Sequence, residues 1–153
     1  MTTSRLSGEG GQVGGIEALP FGLLIFVVGA LLIANAWAVV DAKFATDGAA
    51  REAARTFVEA DDPATAEPLA TAAGKAVIEA HGRDPERSVV RPVGAARLQR
   101  CERITFEATY TVPALSLPFI GGYGRAPFRV RSSHSELVDP FRSGLTGQAE
   151  GCV

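Results

Sequence analysis

Hydrophobic patterning along the chain falls into three regimes. From Ala18 to Val40, 23 residues pass without a charge, and Asn35 is the one strongly polar side chain. Thirteen of these positions are Leu, Ile, Val or Phe. As a helix the run reaches about 34 Å, against roughly 30 Å of bilayer hydrocarbon. Pro20 falls in the first turn, where its missing N–H costs little. Trp37 lies at the far end, where an interfacial aromatic is expected. The pattern predicts a transmembrane helix over 16–40. A cleaved secretory signal is the alternative, with Phe21–Ile33 as its apolar region and Ala34-Asn35-Ala36 or Ala36-Trp37-Ala38 as its cleavage site. A soluble protein starting near Trp37 or Val39 would remain. Against it, only Arg5 and the amino group charge the start, and the apolar run continues past both sites.

The period then becomes helical. Residues 41–60 read DAKFATDGAAREAARTFVEA, rich in helix formers. Ala50, Ala53, Ala54, Phe57 and Val58 share one face, and Asp47 and Arg51 form an i,i+4 pair. One long helix over 16–59 is predicted, half in lipid and half in water, softened at Gly48. Asp62 reads as the N-cap and Pro63 as the first position of a second, amphipathic helix over 64–81. Its apolar face is Leu69, Ala73, Ala76, Val77 and Ala80, and Gly82 stops it.

After Asp84-Pro85 the period is two. Ile104, Phe106, Ala108, Tyr110 and Val112 alternate with Arg103, Thr105, Glu107, Thr109 and Thr111, a half-buried strand. Phe128 and Val130 alternate with Arg129 and Arg131 in another strand over 126–137. Residues 88–98 form a weaker strand, with Pro92 and Gly94 at an edge or bulge. The connecting PALSLPFIGGYG, 113–124, is a loop by its Pro and Gly content. Its apolar Leu115, Leu117, Phe119, Ile120 and Tyr123 either meet a partner or fold back onto the sheet. The segment 139–153, rich in Gly and Ser, reads as a loose tail. The fold class is α+β: an N-terminal transmembrane helix extending into a soluble domain, a second amphipathic helix, and a small antiparallel sheet of about three strands. The regions are a polar leader 1–15, the membrane helix 16–40, the domain 41–138 and the tail 139–153.

With 15 basic and 17 acidic side chains the 153-residue chain has net charge −2, so binding to nucleic acid is not expected. At 46% hydrophobic and 21% charged residues, wholesale disorder is excluded. Small residues recur every seven positions at Gly15, Gly22, Gly29 and Ala36, and Ala30 and Ala34 add a small-xxx-small pair. In lipid such positions let helices approach closely, although Ala and Gly are frequent throughout this chain. Charge leaves orientation open: Lys43, Arg51 and Arg55 follow the apolar run, but among acids and in a folded domain. A Cys101–Cys152 disulfide would pin the tail to the sheet and place the domain outside the cytoplasm; two unrelated thiols is the alternative. His81 and His134 have no second histidine at metal spacing, and no C-x-x-C is present. No G-x-S-x-G or phosphate loop occurs either. The residues point to no catalytic site, no metal and no cofactor.

The string GGQVGGIEALPFGLLIFVVGALLIANAWAVVDAKFATDGAAREAAR resembles the start of TadE-like proteins, pseudopilin-like components of tight-adherence (Tad) pilus systems. The matching positions are Gly11, Glu17, the 18–40 helix and Ala49-Ala50-Arg51-Glu52-Ala53-Ala54-Arg55, and the likeness covers about residues 9–58. It implies a pilin-like, single-pass protein of a bacterial plasma membrane, with the N-terminus cytoplasmic and the domain outside. It implies a minor pilin or assembly factor of a Tad-type adhesion pilus. Its partners would be membrane lipid, other pilin-like subunits and inner-membrane assembly proteins. A prepilin peptidase would cut after Gly11, leaving Gln12 first, and Glu17 would pair with a neighbouring N-terminal amine. A carboxylate at the edge of lipid is costly unless paired, although a helix N-terminus favours it by itself. Two departures stand out: Glu17 would be the sixth residue after the cut rather than the fifth, and Ala18 rather than an aromatic follows it. An uncleaved anchor therefore stands beside the cleaved form. The reading from another class is an exported binding or scaffold domain with no pilus role.

Overall fold

The computed structural model describes residues 18–113, 127–148 and 152. The chain divides into two compact units, one ending at Trp37 and one beginning at Ala38. Helix α1, Ala18–Glu59, contributes to both. In the first unit α1 is apolar and exposed. An 18-residue window has mean hydropathy 2.6 with none of it buried, long and apolar enough to cross a membrane.

The second unit adds α2 (Pro63–Ala80) and three strands: β1 (Ser88–Pro92), β2 (Arg103–Val112) and β3 (Phe128–Leu137). They form one antiparallel sheet in the order β1-β2-β3, with Val90 opposite Ala108 and Tyr110 opposite Val130. This is the α+β, pilin-like layout expected from the sequence. Asp62 caps α2, its carboxylate accepting from the Ala64 N–H at 2.9 Å, and Pro63 opens the first turn. The β2 alternation buries Ile104, Phe106, Ala108, Tyr110 and Val112 on the face turned to α1.

Small side chains set the packing. On α1, Ala42, Ala45, Thr46, Ala49, Ala50, Ala53, Ala54 and Phe57 are buried. Phe57 meets Phe106 with ring centroids 5.6 Å apart, and the Thr46 and Ser132 hydroxyls lie 3.0 Å apart. On α2 the buried positions are Ala66, Ala70, Gly74 and Ile78. This corrects the predicted face: Leu69, Ala76 and Ala80 are exposed, and Ala73 and Val77 are half-buried. The reason is backbone proximity. A β-carbon at Gly74 would lie 2.8 Å from Val90 Cγ1 and 3.0 Å from the Ala49 carbonyl oxygen, so α2 turns its smallest residues inward.

Arg83 donates to the carbonyl of Ala38, the first residue of the second unit, at 3.0 Å. One boundary moves. β1 ends at Pro92 rather than near Leu98, where Gly94, at φ 85, turns the chain away. Residues 139–148 carry long-range hydrogen bonds. Arg142 donates to the carbonyls of Val58, Glu59 and Ala60, covering the end of α1. The Arg100 N–H reaches the Thr146 carbonyl at 2.9 Å.

Gly74→Ala should lower the urea midpoint of the folded unit. Its gain of about 1 kcal/mol in helix propensity is outweighed by about 1–3 kcal/mol of overpacking against backbone. Gly48→Ala, which meets only the movable tip of Val77 at 3.2 Å, should leave the midpoint unchanged or raise it.

Candidate functional site

Among the described residues the candidate functional features are surfaces and links. Gly11, Gln12, Gly15 and Glu17 lie outside the described residues, as do Leu115, Leu117, Phe119, Ile120 and Tyr123. The remaining predicted helix-docking positions are all on α1. A β-carbon at Gly22 or Gly29 would meet nothing within 4 Å, and Ala30, Ala34 and Ala36 are exposed. Among the described residues no packing therefore calls for glycine at either position, although glycine inside a helix costs about 1 kcal/mol relative to alanine. Around them Phe26, Ile33 and Trp37 are also exposed.

Where α1 enters the folded unit, a polar cluster fixes it. Asp41 and Arg83 form an ion pair at 2.6 Å, and the Arg83 guanidinium lies 5.1 Å from the centre of the Tyr110 ring. Lys43 Nζ donates to the Arg131 carbonyl at 2.7 Å and to Ser132 Oγ at 2.8 Å. Val40, Phe44 and Phe128 remain exposed. Arg83 escapes sequence reading because its partner stands 42 residues away and nothing local marks the pair.

The outer sheet face carries one buried acid. Glu107 is covered by the ion-paired side chains of Arg91, at 3.8 Å, and Arg131. Alternation assigns Glu107 to the polar side, but only the register places an arginine on each flank. Elsewhere on the surface, Glu59 beside Arg55 raises the already high pKa of that guanidinium. His134 Nε2 lies 2.9 Å from Glu136 Oε1. Among the described residues, no three His, Cys, Asp or Glu side chains come together as a metal set.

Cys101 and Cys152 form a disulfide, with Cα atoms 4.8 Å apart. Cys101 is the one described non-glycine residue at positive φ, 65°, and its N–H donates to the Val138 carbonyl at 3.1 Å. The link ties the residue that precedes β2 to the end of the tail. No family model matches the chain, and no match is found among curated proteins or solved structures.

Replacing both cysteines by alanine should destabilise the folded unit by roughly 4 kcal/mol, the loop-closure value for a separation of 51 residues. Chemical denaturation of the oxidised protein and the double variant measures it. Equal midpoints would mean that the bond does not constrain the unfolded chain.

Proposed function

We propose that the chain is a single-pass membrane protein that works as a minor pilin or assembly factor of a Tad-type surface pilus. The observation that carries this reading is α1 itself. One uninterrupted helix supplies an exposed apolar segment long enough for a bilayer and then the central helix of a small α+β unit. That arrangement suits a subunit stored in a membrane and packed helix to helix in an assembly. The sequence likeness over residues 9–58 to TadE-like proteins supplies the pilus context.

In this reading the leader is cytoplasmic, and the domain with its disulfide lies outside the plasma membrane. The disulfide supports that side, since such bonds persist in oxidising compartments. Gly22 and Gly29 are the docking positions against other membrane helices, because nothing among the described residues occupies the space beside them. Glu17 is the charge that would pair with a neighbouring subunit's amine.

One observation favours a second reading, an exported binding or scaffold domain released by signal cleavage: the folded unit begins at Ala38, beside the candidate cleavage sites. The intact mass of protein from its native host separates the two. Full length, or loss of residues 1–11, keeps the anchor; loss through Ala36 or Ala38 sinks it. For docking, Gly22→Leu with Gly29→Leu should abolish pilus assembly while carbonate-resistant membrane retention is unchanged. Normal piliation of that variant would remove the glycines from the interface.

A further inference from the structure

This inference rests on the membrane reading above and concerns the folded unit. The long-range contacts fix which end of that unit is which. Lys43 meets Arg131 and Ser132, Thr46 meets Ser132, Phe57 meets Phe106, and Arg142 reaches the carbonyls that finish α1. α1 therefore runs alongside β3 in the same direction. The start of β3, with Phe128 opposite Val112, lies at the end where α1 enters the unit.

That end has an unusual surface. Val40, Phe44 and Phe128 are exposed, Phe44 at 66% and Phe128 at 56%. All the sheet's other large apolar core-face residues at this end, Tyr110, Val112 and Val130, are buried. The charges beside the exposed three are sorted. Asp41 is neutralised by Arg83. Lys43 spends its hydrogen bonds on a carbonyl and a hydroxyl, and among the described residues no carboxylate forms an ion pair with it. Arg129, next to Phe128, is exposed. Exposed apolar side chains with cations at the same end are the composition of an interfacial membrane surface, where apolar groups sink below the headgroups and cations meet anionic phosphates.

We propose that this end of the folded unit, through Val40, Phe44 and Phe128 with Lys43 and Arg129, rests directly on the surface of a membrane containing anionic phospholipid. Val40 closes the spanning segment, and Phe44 and Phe128 carry the contact beyond it onto the folded unit. The contact gives the domain its own lipid footprint and a preference for anionic headgroups that the near-neutral chain as a whole does not have.

Tryptophan quenching in vesicles tests it, since Trp37 is the sole tryptophan. The full chain is reconstituted in phosphatidylcholine–phosphatidylglycerol vesicles carrying brominated acyl chains. Three forms are compared: wild type, Trp37→Phe with Phe128→Trp, and Trp37→Phe with Leu137→Trp. Leu137 is also surface-exposed and stands at the other end of β3, about 30 Å from Phe128 by strand rise. Quenching of Trp37 in the wild type reports the anchor. The Phe128→Trp reporter should lose roughly half its emission, as expected for a ring about 5–10 Å into the interface. The Leu137→Trp reporter should lose none. Omitting phosphatidylglycerol, or adding Arg129→Gln, should weaken the quenching at position 128. Quenched Trp37 with an unquenched 128 reporter overturns the lipid footprint and leaves the anchor standing; a protein partner would then be the cover for this end. Equal quenching at 128 and 137 also overturns it, since no one end would then face lipid. An unquenched Trp37 overturns the anchor and the footprint together.

Discussion

Gly74 lies so close to α1 that a β-carbon there would sit 3.0 Å from the Ala49 carbonyl oxygen and 3.3 Å from Ala53 Cβ. The rest of the folded unit is arranged around that approach. Alanines on one side of α1 admit the backbone of α2, and alanines with Thr46 on the other admit the sheet. Among the described residues, the large fully buried side chains are few, Phe57, Phe106, Ile78 and Val138. Cohesion here comes from many short contacts between small groups and backbone, where dispersion per atom is small but the number of contacts is high.

A central helix buried this closely has a C-terminal end that must be satisfied from elsewhere, because its last carbonyls have no helical partner. One distant arginine does this, and a second braces the helix where it enters the folded unit. Arg83 holds Asp41 and the Ala38 carbonyl at the entrance. Arg142 covers the Val58, Glu59 and Ala60 carbonyls at the exit and lies 3.3 Å from Asp61. Both contacts reach across more than 40 residues of sequence, so the limits of the folded unit are set by tertiary contacts.

Much of this architecture was legible in the chain. The uncharged run, the continuation of the helix to Glu59, the Asp62-Pro63 restart and the β2 alternation each follow from one strong local signal. The α2 face differs because the helical period drawn through Leu69 and Val77 selects Ala73, Ala76 and Ala80 instead of Ala66, Ala70 and Gly74. Where backbones nearly touch, smallness governs, and Ala66, Ala70 and Gly74 go inward while Leu69 faces out. The packed segment after Asp139 was invisible for another reason: its order comes from Arg142 and the disulfide, whose partners are far away in sequence. The Cys101–Cys152 pairing was readable as one of two alternatives, since a lone cysteine in a Gly-rich tail had no local packing role. Of the surfaces, the candidate docking glycines could be named from spacing, but the exposed trio of Val40, Phe44 and Phe128 could not, because it depends on register across the sheet.

The alanine-rich half of α1 also bears on how the unit is ordered. Alanine has no rotamers to lose on burial, whereas long side chains give up about 1.5–2 kcal/mol each. It is also the best intrinsic helix former. The surface that α1 offers to α2 and the sheet is therefore in its final shape as soon as the helix exists. The entropy of assembling the core is concentrated in the sheet and α2, which settle onto a template that has almost nothing left to freeze.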